Sequence, residues 1–167
     1  MSIVNTKSTA ITNADETQPR AYTQSWIERG DAKIAVGKVE VAAADDDTSV
    51  YRLVRISSGA RVHKIELLSD AIAGGTDYNL GLYKPAYTGQ GAVVDDNLFG
   101  DALDFSSGNT VPVEVTFDQT DIADIEKRVW ELLGLAADPH TEYDICLTAV
   151  TAGTGAGTIA MRVEFVL

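Results

Sequence analysis

Tyr51 to Tyr83 reads YRLVRISSGARVHKIELLSDAIAGGTDYNLGLY, and the way its apolar runs are joined decides the fold. Three strand-like runs can be marked: Val50 to Ile56, Arg61 to Leu68 and Tyr78 to Tyr83. Tyr78, Leu80 and Leu82 alternate with Asn79 and Gly81, and Ile65 and Leu67 alternate with Lys64 and Glu66. That is the period-two signature of half-buried strands. In the first run Tyr51 and Leu53 oppose Val50, Val54 and Ile56, the pattern of a strand covered on both sides. Ser57-Ser58-Gly59-Ala60 is short and polar, with a glycine free to take positive φ, which predicts a hairpin turn. Ser69 to Asp77, with Gly74-Gly75, is a looser loop. The expectation is an antiparallel meander of three strands.

On the N-terminal side, Ile34 and Val36 share one parity and Val39 and Val41 the other, so a β-bulge at Gly37-Lys38 would return both pairs to one face. Asp45-Asp46-Asp47 marks a polar turn. On the C-terminal side, Lys84 to Asn109 is dense in turn formers and reads as a long connection interrupted by Ala92-Val93-Val94 and Leu98-Phe99. Val111, Val113, Val115 and Phe117 then alternate as a strand. Ile122, Ile125, Val129, Leu132 and Leu133 recur at helical spacing between a capping Asp121 and a terminating Gly134, predicting one short α-helix over about 121–133. Tyr143 to Ala149 and Ile159 to Leu167 resume period two across the glycine-rich Thr151–Gly157, which predicts a closing hairpin. The sum is an all-β, antiparallel β-sandwich domain over 31–167, preceded by an extended or irregular N-terminal arm over 1–30. In that arm Ile3, Val4, Ile11, Tyr22, Trp26 and Ile27 are too apolar for a purely solvated tail.

Thirteen Lys and Arg against 25 Asp and Glu give a net charge of −12, which disfavours nucleic acid as a partner. No apolar run approaches the ~20 residues of a membrane span, and MSIVNTKST lacks the basic start and apolar run of a secretory signal, so no membrane partner and synthesis in the cytosol are expected. Cys146 is the single cysteine, and it falls within a strand-like run as a small hydrophobe. His63 and His140 have no cysteine or histidine at metal-ligand spacing. No GxSxG elbow places a nucleophilic serine. Asp45-Asp46-Asp47 and Asp95-Asp96 lack the acid spacing and central glycine of a calcium loop and read as solvated turns. TAGTGAG (Thr151–Gly157) has no following Lys-Ser/Thr and no helix behind it, unlike a phosphate-cradling loop. The residues therefore predict no enzyme, no cofactor and no metal.

The same central stretch carries a resemblance. An arginine-flanked strand, the turn SSGARV, an apolar strand and a Gly/Thr/Asp loop into YNLGLY resemble the core of the small head decoration, or cement, proteins of tailed bacteriophages. MSIVNTKSTAITNAD is similar to the N-terminal arm of that family, and KRVWELLGLAADPHTEYDICLTAV to its helix and late strand. The resemblance implies a jelly-roll topology. It also implies a structural virion protein that binds the outer surface of the major capsid protein lattice and stabilises the head. Partners would be that lattice and further copies of the chain as dimers or trimers, with Ile3, Val4, Ile11, Leu98 and Phe99 as contact residues. Two other readings share the composition: a carbohydrate-binding sandwich, for which Tyr78, Tyr83 and Tyr87 could supply an aromatic surface, and another virion component such as a tail or head–tail connector protein.

Overall fold

Eight strands are arranged as two four-stranded antiparallel sheets in a computed structural model, which describes residues 31–167. They are β1 (Lys33–Val41), β2 (Val50–Ser57), β3 (Arg61–Ser69), β4 (Asp77–Tyr83), β5 (Val93–Leu103), β6 (Asn109–Glu114), β7 (Glu142–Thr151) and β8 (Gly157–Val166). One sheet has the order β1-β8-β3-β6 and the other β2-β7-β4-β5. Four pairings nest inside one another: β4 with β5, β3 with β6, β2 with β7 and β1 with β8. A long antiparallel ribbon wound over itself into two layers has that order, so the sandwich is a jelly roll. The arm over 1–30 lies outside the described residues.

The meander does not form. β2 pairs with β7 in one sheet, while β3 pairs with β8 and β6 in the other, so Ser57–Ala60 turns the chain from sheet to sheet. A hairpin there would lay the apolar faces of β2 and β3 side by side and leave both in need of a cover. Folding the ribbon lets each sheet cover the other. Gly59 is not among the residues with positive φ. Thr151–Gly157 is likewise a crossing between sheets, not a closing hairpin.

The bulge expected in β1 is found in β2. β1 pairs with β8 in unbroken register from Lys33↔Phe165 to Val41↔Gly157, so it has no bulge. Ala35, Val39 and Val41 face inward, whereas Ile34 and Val36 point to solvent. The register shift lies instead in β2 between Arg52 and Val54, which puts Tyr51, Val54 and Ile56 on the core face and explains the change of parity without a second covering layer. Gly37 has a different purpose: a Cβ built on it would collide with the Leu53 carbonyl, so glycine lets β1 approach the bulged strand.

The expected long connection contains β5, an 11-residue strand after the single helical turn α1 (Ala86–Gly89). Its pairing with β4 shifts register three times, which erases the period-two signal. The backbone at Asp95 and Asp96 lies so close over Gly81 that no side chain fits there.

The helix expected over 121–133 is divided into a 3₁₀ turn, Ile122–Asp124, and the short helix α2, Val129–Leu132, with extended backbone at Arg128 between them. The cause is tertiary. The Val129 and Trp130 N–H groups donate to the carbonyls of Ala60 (2.9 Å) and Ser58 (3.1 Å) at the β2–β3 crossing, so they are lost to a continuous helix. α2 begins afresh at Arg128, whose N–H donates to the Glu131 carboxylate at 2.7 Å. The anticipated Asp121 side-chain cap is not made. Only Val129 of the expected stripe is fully buried, joining a core that includes Ile65, Leu67, Leu80, Leu147 and Met161.

Candidate functional site

The outer face of the β2-β7-β4-β5 sheet carries a fixed ionic cluster. The bulge at Leu53 leaves Arg52 and Arg55 both facing outward, and β7 sets Asp144 between them. Arg55 donates to Asp144 through Nε (2.6 Å) and Nη2 (3.2 Å), and Arg52 through Nη1 (3.0 Å). The carboxylate side chain is only 6% exposed. Burial pushes its pKa up, but the Arg55 and Arg52 guanidiniums outweigh that and hold it below the ordinary aspartate value. Arg52 lies over the Tyr83 ring and Arg55 over the Tyr87 ring, 5.6 and 5.0 Å from the centroids. Arg52 also donates to the carbonyls of Lys84 and Gly91, tying down the connection between β4 and β5. The cluster can hold strands in register and present half-exposed guanidiniums. It offers no group poised for proton transfer or nucleophilic attack.

A second cluster crosses the outer face of the other sheet. Glu66 of β3 is paired by Lys64 Nζ at 2.6 Å and by Arg162 of β8, whose Nε donates at 2.8 Å and whose Nη2 also contacts the carboxylate. The Lys64 bond, then that from Arg162, holds the Glu66 carboxyl below its ordinary value. On β1 of this sheet Ile34 and Val36 are 62% and 71% exposed.

The third feature is apolar. Phe117, Ile122 and Ile125 lie exposed in the connection between β6 and β7, and with Thr120 they line a depression of about 340 Å³. Phe117, Thr120 and Ile125 also line a cleft that reaches Phe99 and Leu132, so the patch is continuous with the edge of the core. Sequence periodicity places Phe117, Ile122 and Ile125 on buried faces, and the structure does not. The strand stops at Glu114, and β6 is an edge strand that accommodates Pro112, with Val111 and Val113 exposed as well. The helix that would have turned Ile122 and Ile125 inward does not form.

Of the expected contact residues, Ile3, Val4 and Ile11 lie outside the described residues. Leu98 is half-buried against the core, and Phe99 is 1% exposed within it, turned inward by the irregular β5. The three tyrosines do not form an aromatic platform. Tyr78 is in the core against the Phe105 ring, Tyr83 is buried with its hydroxyl bonded to Thr148, and only Tyr87 is exposed.

The arrangement of reactive side chains is structural. Ser58 Oγ donates to Asp138 at 2.5 Å and accepts from the Thr141 N–H, so it is not paired with His140. Burial pushes the Cys146 thiol up to about 12, far from the thiolate range of a reactive cysteine. Among the described residues no three His, Cys, Asp or Glu side chains converge to hold a metal ion. Asp45, Asp46 and Asp47 each accept from a backbone N–H, of Ala42, Asp47 and Ala152 respectively. In the glycine-rich loop the Thr154 and Gly155 N–H groups donate to the Ala73 carbonyl, and Gly153 and Gly155 admit that neighbouring loop at close range.

No family model and no curated protein matches this chain. The fold has counterparts among solved structures. A chain of the capsid of Ralstonia phage GP4 superposes with a TM-score of 0.58 at 13% identity, over 82% of this chain and 84% of that one. A chain of the cyanophage Pam1 capsid asymmetric unit gives a TM-score of 0.52 at 16% identity, over 83% and 86%. The chain shares its β-sandwich fold with chains found in two phage capsids.

Proposed function

We propose that this chain is a structural protein of a tailed-phage virion that binds the outer surface of the major capsid protein lattice and reinforces the head. One observation carries the reading. The likeness to chains of two phage capsids extends over more than four-fifths of both partners, so it concerns the whole jelly roll and not a shared motif. The net charge of −12 supports a place on the outer surface, since the packaged nucleic acid inside a head would repel it. Rigid sandwiches would bridge adjacent lattice subunits as dimers or trimers about symmetry axes, with Ile3, Val4 and Ile11 of the N-terminal segment and Leu98 adding apolar contacts. The protein is made in the host cytosol and takes up its place in the virion, with no catalytic step.

The test is cosedimentation of purified protein with expanded capsid shells that lack it, followed by heating of the decorated shells. Saturable binding at a fixed ratio to the major capsid protein, with a raised shell melting temperature, is expected. Failure to bind would remove the cementing role and leave the tail and connector readings.

A further inference from the structure

We propose that the patch formed by Phe117, Ile122 and Ile125 is the docking site for a lattice-subunit segment that carries lysine or arginine beside an apolar anchor. The inference rests on the capsid-binding reading and names where and with what chemistry the contact is made. Scattered apolar side chains are ordinary on a protein surface, but a contiguous group around one depression marks an interaction site. Ile122 is the most exposed large hydrophobic residue among those described, at 86%, and Phe117 and Ile125 are 55% and 47% exposed.

Charge selects the occupant. Residues 112–128, PVEVTFDQTDIADIEKR, hold five acids against two basic residues, Lys127 and Arg128, so the segment remains net acidic. Asp118, Asp121 and Glu126 are exposed and are the chain neighbours of Phe117, Ile122 and Ile125 respectively. Asp124 is paired with Lys127 at 2.5 Å, and Asp118 also accepts from the Asp101 N–H at 3.0 Å, which draws another acidic residue to the rim. A second copy docking patch to patch would set these carboxylates against their equivalents, at a cost of several kcal/mol for like charges at an interface. Nucleic acid would be repelled. A segment with basic residues flanking an apolar anchor matches both the centre and the rim, with the anchor buried in the depression and the cations on the surrounding carboxylates.

Two variants test this without disturbing the fold, because Ile122 projects into solvent and the Asp121 side chain makes no capping bond. Wild-type, Ile122→Ser and Asp121→Lys proteins, each with wild-type thermal unfolding, are titrated onto purified expanded shells at low and high salt. The expected result is saturable wild-type binding that weakens with salt, about tenfold weaker binding for Ile122→Ser, and several-fold weaker, less salt-sensitive binding for Asp121→Lys. Wild-type binding with both variants unchanged overturns the docking site and leaves the capsid reading standing. Weakening by Ile122→Ser with Asp121→Lys unchanged or tighter overturns the basic partner. If Ile122→Ser alters the oligomeric state and not shell binding, the occupant is a second copy and the proposal fails. Absence of wild-type binding removes the capsid reading and this inference with it.

Discussion

Asp144 shows how much of the structure can depend on one side chain that no local pattern announces. It lies 92 residues from Arg52 and 89 from Arg55, and only the β2–β7 register brings the three together. Replacing it by Asn should cost about 2 kcal/mol, in the range of a hydrogen bond to a charged group, with the guanidiniums left to rehydrate. Because its pKa is depressed in the folded protein, its contribution is full above the unfolded aspartate value of about 3.9 and is lost as pH falls through the lower folded value. Urea titrations between pH 6 and pH 2 should therefore show a steeper acid loss for wild type than for Asp144→Asn. Parallel curves would show that the carboxylate contributes nothing as an ion. Gly37 gives a second test at this scale. Gly37→Ala drives a Cβ into the Leu53 backbone and should cost about 3 kcal/mol or more, the upper end of overpacking losses, with β1 displaced. Gly134→Ala meets nothing within 4 Å and should cost only about 1–2 kcal/mol for its φ of +67°. Equal losses in chemical denaturation would mean that close approach is not what Gly37 provides.

Among the elements, strands with clean alternation were legible and everything that depended on partners was not. β3 and β4 begin and end within a residue or so of their apolar runs, because one buried face imposes period two on the sequence. β5 was illegible because its register shifts scramble that period, and the 121–133 helix was over-read because two backbone N–H groups are claimed by Ala60 and Ser58. The exposed patch at Phe117, Ile122 and Ile125 follows from that second failure: apolar spacing alone does not distinguish a side chain that faces a core from one that awaits a partner. β8 was legible in extent but not in place. It is central, hydrogen-bonded to β1 on one side and β3 on the other. Deleting Val163 to Leu167 removes the buried Val163 and Val166 and the pairings to Lys33–Ala35 and Arg61–Ile65. At roughly 1.5–3 kcal/mol per buried apolar side chain, the two are worth about 3–6 kcal/mol against a typical domain stability of about 5–15 kcal/mol, and the lost strand pairing on both sides adds to that. The truncated protein should show no cooperative melting transition in circular dichroism. A retained wild-type melting temperature would contradict the central position of the strand.

For the whole domain the nested order of pairings predicts the order of folding. Tyr83 pairs with Val93, ten residues on, whereas Val41 pairs with Gly157, 116 residues on. Closing the longer loop from an open chain costs about 2 kcal/mol more, since the penalty grows as 1.5 RT times the logarithm of loop length. The difference shrinks once inner pairs have formed and shortened the remaining loops, so zipping outward from β4 and β5 is the less costly route. Irregular pairing of β4 with β5 opposes this, but Leu80, Leu82 and Phe99 are all essentially buried there, and apolar contact can hold the ribbon before its hydrogen bonds are regular. A fold dominated by such distant pairings should refold in milliseconds to seconds. In chevron analysis Leu82→Ala should slow folding, with a φ-value above about 0.5, while Val41→Ala should mainly speed unfolding, with a φ-value below about 0.3. The reverse assignment would mean that β1 and β8 meet first and that the ribbon closes from its ends.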